Sequence, residues 1–233
     1  MKATILGSVG SPGDVLLKKA LLICGILSSL LYVGTDILAA TLWNGYSYID
    51  QTISELMAIE APTRPLLVSL LIPYNVLVIA FGLGVWESAG RKRALRITGV
   101  LMIAYAIVGF AGLLFSPMHV RGGVLMTTTD TMHVVVTSVL VLSILLFIGF
   151  GATADGKWFR LYSIATIVMV IVFGAWAGLD GARMAAQLPT PWMGIKERIS
   201  VYGSLLWVLV LAVVLLRAEK RALKRATTQG LRE

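Results

Sequence analysis

The stretch that decides the fold is Ala20-Leu-Leu-Ile-Cys-Gly-Ile-Leu-Ser-Ser-Leu-Leu-Tyr-Val-Gly-Thr-Asp-Ile-Leu-Ala-Ala-Thr-Leu-Trp43, in which Asp36 is the sole charged residue. A run of about 20 apolar residues, wound as a helix, matches a hydrocarbon core roughly 30 Å thick. It exceeds the 7–15 residues or so of a signal-peptide core and ends on an aromatic rather than a small-residue cleavage site. It therefore reads as an uncleaved first span.

Five more such runs follow at about 65–87, 97–117, 131–152, 161–184 and 199–216. The whole chain has this character, being 58% hydrophobic and 14% charged over 233 residues, with a mean hydropathy of +0.86. Lipid-facing backbone must be satisfied within its own segment, and the alternation of barrel strands is absent, so the spans are helices. The expectation is an all-α integral membrane protein with a leader at 1–19, six transmembrane helices within 20–216 and a basic tail at 217–233.

A net charge of +8 in a soluble protein would suggest nucleic acid as partner. Here the basic residues sit in short segments between apolar runs, so no nucleic-acid partner is expected and membrane lipid is. Most of the Lys and Arg fall on the side holding both termini and the loops near 88–96 and 153–160, against Arg64, Arg121, Arg183, Lys196 and Arg198 on the other. The positive-inside rule then places both termini in the cytoplasm. The tail from Arg217 is a topology anchor on anionic lipid or, alternatively, a partner-binding segment. Cys24, the one cysteine, lies inside the first span, which excludes an internal disulfide and a thiolate metal cluster.

The outer side collects the chemistry. Ser116-Pro-Met-His-Val-Arg-Gly-Gly-Val-Leu-Met-Thr-Thr-Thr-Asp-Thr-Met-His133 holds both histidines. Glu55, His119, Asp130 and His133 are the candidate catalytic residues, and His119, Asp130 and His133 have the three-ligand count of a zinc or other divalent-metal site. Each has a structural alternative. Thr52 and Glu55 have capping-box spacing, Asp130 suits a helix N-cap, and His133 would then fall in the first turn, where the helix dipole favours a neutral ring. His119 alone lacks such an explanation.

Asp36, Asp180 and Arg183 are ionisable groups within spans, which by default mark a functional path. Asp180 and Arg183 are also spaced to pair as i, i+3 neighbours or to snorkel to the interface. Arg121 and Arg198 are candidate ligands of an anionic lipid headgroup, since a guanidinium fork matches phosphate. Glu197 suits the start of the sixth span by the helix dipole.

In the first outer loop Ile49, Ile53, Leu56 and Met57 fall on one side of a short amphipathic helix and Asp50, Gln51, Ser54 and Glu55 on the other, forming a possible lid. Gly174 and Gly178, continued by Gly181, strip one face of the fifth span for close packing. Pro73 is expected to kink the second span and free the Ser69 carbonyl, with Asn75 nearby to bond it. Trp43, Tyr46, Tyr48 and Trp192 are placed at the outer interface, and Trp86, Trp158 and Tyr162 at the inner one.

The Gly25-to-Ser29 face of the first span, the Tyr-rich segment leading into Ile53-Ser-Glu-Leu56, the proline ending the third span and the acid and histidine at the fourth together resemble a family. It is the prokaryotic membrane proteins catalogued as domain of unknown function 998, and the likeness covers about residues 18–216. It implies six membrane helices in a prokaryotic cell membrane, with no established activity and no catalytic residues to carry over. The chain is also comparable to the membrane hydrolases related to alkaline ceramidase, which set Ser, Asp and three His around zinc. It departs from them in having two histidines and no His-x-x-x-His in its last span.

Three functions are compatible with these residues. The first is a non-catalytic membrane component whose outward polar cluster binds lipid or a partner. The second is a hydrolase or transferase acting on a lipid, and the third a small-solute or proton transporter lined by Asp36, Asp180 and Arg183. The sequence leaves a protein partner and homo-oligomerisation open.

Overall fold

The computed structural model describes residues 12–122 and 127–230. The leader's residues 1–11 and the tail's 231–233 lie outside the described residues. Six helices are long and apolar enough to cross a membrane. In chain order the helices are α1 (Pro12–Leu42), α2 (Ile53–Leu56), α3 (Arg64–Ser88), α4 (Arg93–Phe115), α5 (Thr128–Gly151), α6 (Lys157–Leu179), α7 (Gly181–Ala185) and α8 (Met193–Gly230). Among the described residues the only extended pairing is one bridge, Ile59 with His119.

The long helices form a ring. α1 packs against α3 and α8, α3 against α4, α4 against α5 and α8 against α6, while α5 and α6 close the ring with a lighter contact. Close crossings are built from glycine. A Cβ on Gly99 would lie 2.6 Å from the Gly82 carbonyl and one on Gly84 3.1 Å from the Leu21 backbone, so α1, α3 and α4 approach backbone to backbone. Gly25 makes room for the Phe81 ring, 2.7 Å from where its Cβ would lie. The Gly25–Ser29 face is completed by the Ser29 hydroxyl, which donates to the Leu205 carbonyl of α8 at 2.9 Å.

The end carrying the chain termini is filled by aromatics. Trp207 is fully buried, lies beside Phe147 and Phe159 and donates its indole N–H to Ser163 at 2.9 Å. Lys18 and Glu219 form an ion pair there. That contact joins two segments read from sequence as a leader and a tail, both of which are helical extensions of α1 and α8 where described. Hydropathy marks where lipid ends, whereas a helix continues as long as its backbone bonds do.

Several local expectations are corrected. The first loop is helical only over the single turn Ile53–Leu56, with Glu55 fully buried, so its acid does not line a lid surface. Asn75 donates to the Leu71 carbonyl at 2.8 Å, not to that of Ser69. In the fifth span Gly174 faces Ser200, while a Cβ at Gly178 or Gly181 would meet nothing. Close packing thus uses one end of that stripe.

Candidate functional site

The loops 43–63, 116–122 and 180–192 meet at the other end of the ring, referred to below as the loop end. Two capping boxes organise it. In the first, Thr52 caps α2 and the Glu55 carboxylate accepts the Thr52 N–H at 2.7 Å. In the second, Thr127 caps α5 and Asp130 accepts the Thr127 N–H at 2.8 Å. Asp130 is therefore the third residue of its helix, not the N-cap, and His133 moves into the second turn. A box satisfies helix donors from both directions, which explains why the threonine takes the cap.

A short segment, Pro117–Arg121, connects the two boxes. Ile59 donates its N–H to the Met118 carbonyl at 2.7 Å. His119 donates its backbone N–H to Asp130 at 2.7 Å and brings its Nδ1 to 3.1 Å from the same carboxylate. Arg121 donates Nε to Glu55 Oε1 at 2.5 Å and Nη2 to Oε2 at 2.9 Å. Its Nη1 reaches Thr190 at 2.6 Å and its Nη2 the Asp50 carbonyl at 3.4 Å. Asp50 in turn accepts the Trp192 N–H at 3.0 Å and the Ser47 hydroxyl at 2.9 Å, and these bonds hold its carboxyl below the usual range.

A second, deeper ion pair lies between α1 and α8. Arg198, 3% exposed, meets Asp36, 1% exposed, through Nε and Nη2, both at 2.9 Å. The remaining Arg198 hydrogens go to the carbonyls of Tyr48, Gln51 and Gly194 and to the Tyr46 hydroxyl. The guanidinium carbon stands 3.7 Å from the centroid of the Tyr48 ring. Tyr202 donates to Asp36 at 2.5 Å. Burial raises the Tyr46 phenol pKa against the lowering pull of Arg198. Tyr46 and Tyr48, expected at the lipid interface, thus hold an arginine, and every Arg198 donor is engaged within the protein, leaving none for a headgroup phosphate.

Asp180 is paired with Lys196 at 2.5 Å, not with Arg183, which donates to the Pro189 carbonyl at 2.9 Å. The chain doubles back after α7 and brings the start of α8 to the end of α6. None of Asp36, Asp180 and Arg183 lines the cavity described next.

The four sequence candidates do not converge. Glu55 takes Arg121 and His119 takes Asp130. His133 turns its Nδ1 to the Ser116 carbonyl at 3.0 Å, which puts its hydrogen on Nδ1 because a carbonyl only accepts. Among the described residues no group of three or more His, Cys, Asp and Glu side chains is disposed to hold a metal ion. The expected zinc triad of His119, Asp130 and His133 is therefore not assembled.

His133 instead lines a partly open cavity of about 160 Å³ between α1, α3, α4, α5 and α8, with Ser54 of α2 also lining it. Its wall is chiefly aliphatic, with Leu71, Leu113, Leu140, Ile144 and Leu205, but it also presents Tyr32, Arg64, Tyr74, Asn75, Tyr105, Thr137 and Glu197. Tyr74 and Tyr105 share a hydrogen bond at 3.2 Å. Glu197 Oε2 accepts the Ile53 N–H at 2.5 Å and, among the described residues, makes no ion pair. A smaller space of 20 Å³ continues inward past Tyr74 and Tyr105 to Phe147, beyond which Trp207 packs. Sequence reasoning treated Glu197 only as a helix-start acid and passed over the tyrosines. The place of Glu197 in Lys196-Glu197-Arg198, just before the sixth apolar run, carries no signal that would set it apart.

Six helices long and apolar enough to cross a membrane define a polytopic helical membrane protein. Residues 26–214 match the family model described as protein of unknown function (DUF998), and the chain belongs to that family. No curated protein and no solved structure matches the chain.

Proposed function

We propose that the protein is a non-catalytic membrane component that holds the head of an amphipathic, lipid-derived molecule in the chamber at its loop end. The observation that carries this is a division of labour among the polar groups. Asp36, Glu55, Asp130 and Asp180 are each occupied by a basic partner, so these four acids serve as ties. Glu197 and Arg64, by contrast, line the chamber and form no ion pair among the described residues. A mostly apolar pocket with a few convergent polar groups is the usual form of a small-molecule site. Thr137 is exposed on α5 and also lines the chamber, so the space has access from the lipid side.

The lipid-hydrolase and transporter alternatives have less support. Among the described residues no hydrogen bond joins His133 or Glu197 to a serine or threonine hydroxyl, as the first would need, and the aromatic packing around Trp207 offers the second no polar route. We further infer from the Lys and Arg distribution that the loop end faces outward from a prokaryotic cell membrane, with both termini cytoplasmic. The test is to extract lipid from the purified protein and from Thr137→Trp, which fills the chamber from an exposed position. One amphiphile is expected at near-stoichiometric amount in the first and depleted in the second. Identical extracts containing only bulk lipid would overturn the proposal.

A further inference from the structure

Taking the chamber as a binding site, we propose that its ligand carries a zwitterionic head: an ammonium group held at Glu197 and an anionic ester, of phosphate type, held at Arg64. Both side chains line the chamber. Glu197 receives one backbone hydrogen bond and, among the described residues, forms no ion pair, unlike Asp36, Glu55, Asp130 and Asp180 at the same end. The arginine next to it in sequence is fully engaged by Asp36 and three carbonyls. A carboxylate in a largely apolar space is expensive unless something balances it. A ligand that brings a positive charge would supply that balance and be held by the ionised acid.

The wall near that charge suits an ammonium group. Tyr32 and Tyr74 stand edge to face with centroids 5.0 Å apart, and ring faces attract cations. The Tyr32 hydroxyl has no hydrogen-bond partner among the described residues, which leaves an oxygen to receive an ammonium hydrogen. Arg64 begins α3 and donates one Nη1 bond to the Met57 carbonyl at 2.5 Å. Among the described residues it has no acidic partner, so the rest of its fork is available for an anionic oxygen. An acid and a guanidinium in one chamber, neither in an ion pair among the described residues, fit a ligand that carries both charges.

Size and lining favour a membrane lipid over a free zwitterion. A dry cavity of roughly 150 Å³ accommodates benzene, so 160 Å³ takes a headgroup and not its chains. The aliphatic wall and the exposed Thr137 edge provide the route by which chains remain in the bilayer.

The experiment presents the full-length protein, in mild detergent, with phosphatidylethanolamine, phosphatidylglycerol and a trimethylammonium lipid lacking phosphate, and reads retention by native mass spectrometry. Phosphatidylethanolamine is expected to be retained about tenfold better than either, the effect of one hydrogen-bonded charge contact. Glu197→Gln keeps an acceptor for Ile53 and should erase the preference over phosphatidylglycerol, while Arg64→Gln should erase the preference over the trimethylammonium lipid. Equal retention of the three lipids by the unaltered protein, or unchanged preferences in these two variants, would overturn the zwitterion assignment. If Thr137→Trp still abolishes retention in that case, the chamber survives as a lipid site and only the charge assignment falls. If it does not, both fall. Soluble phosphoethanolamine competing as strongly as the lipid would overturn the membrane source.

Discussion

Arg121 closes a two-point contact on the carboxylate of Glu55, 66 residues earlier in the chain, at 2.5 and 2.9 Å. Glu55 is fully buried, so the carboxylate that caps α2 is neutralised by a loop after α4.

Removing the cation should be worse than removing both charges. Arg121→Met leaves Glu55 buried without a counter-ion, and breaking a buried pair in this way costs about 3–5 kcal/mol. The double variant Glu55→Gln with Arg121→Met should recover a large part of that loss. Thermal unfolding in detergent measures it; equal losses in the single and double variants would reject the pairing as the source.

Glycine substitutions should divide by location. A Cβ at Gly194 would lie 2.7 Å from the Tyr48 carbonyl and 2.9 Å from Arg198 Nη1, so Gly194→Ala forces the first loop off the start of α8. Overpacking of this sort costs about 1–3 kcal/mol. At Gly178 a Cβ meets nothing, and Gly178→Ala should be neutral or gain up to about 1 kcal/mol from helix propensity. A midpoint for Gly194→Ala at or above the unaltered protein's would count against the close approach.

Asp50 predicts an acid-side weakening of the loop end. Its folded pKa lies below the ordinary 3.8, because the Trp192 N–H and then the Ser47 hydroxyl favour the carboxylate. Stability from such a group is complete above the unfolded pKa and is lost as pH falls through the folded one. Protection of the Trp192 amide against hydrogen exchange, corrected for intrinsic rate, should therefore drop below about pH 4, and Asp50→Asn should flatten that profile. A profile that Asp50→Asn leaves unchanged would assign the weakening elsewhere.

The inferred orientation has a direct readout. In a Cys24→Ala background, Asn44→Cys at the loop end should react with a membrane-impermeant maleimide on intact cells. Arg91→Cys, in the loop between α3 and α4, should react only after permeabilisation. The reverse pattern would invert the assignment.

Span number was legible because it depends on local quantities, run length and hydropathy, and all six runs become long helices. The Thr52–Glu55 capping box was legible for the same reason. Thr127 was missed because Asp130 is itself a good cap and the two compete for one helix start. Ion-pair partners were not legible. Asp180 had Arg183 three residues away, yet it meets Lys196, 16 residues away, a choice made by how α7 turns the chain. The chamber was invisible for a related reason: its polar groups come from several helices, and no single amphipathic face announces them.

The Pro117–Arg121 connector also has a meaning for assembly. Arg121 binds Glu55 from before α3 and Thr190 from just before α8, and Arg198 joins α8 back to α1. A chain made from its N-terminus can insert helix by helix, but this end cannot close until the last helix arrives. Until then Asp36 in α1 lacks the cation that Arg198 of α8 supplies, so an incomplete bundle carries an unpaired charge that the finished one hides. The same ties that hold the chamber's rim would mark a truncated protein for a quality-control protease to recognise.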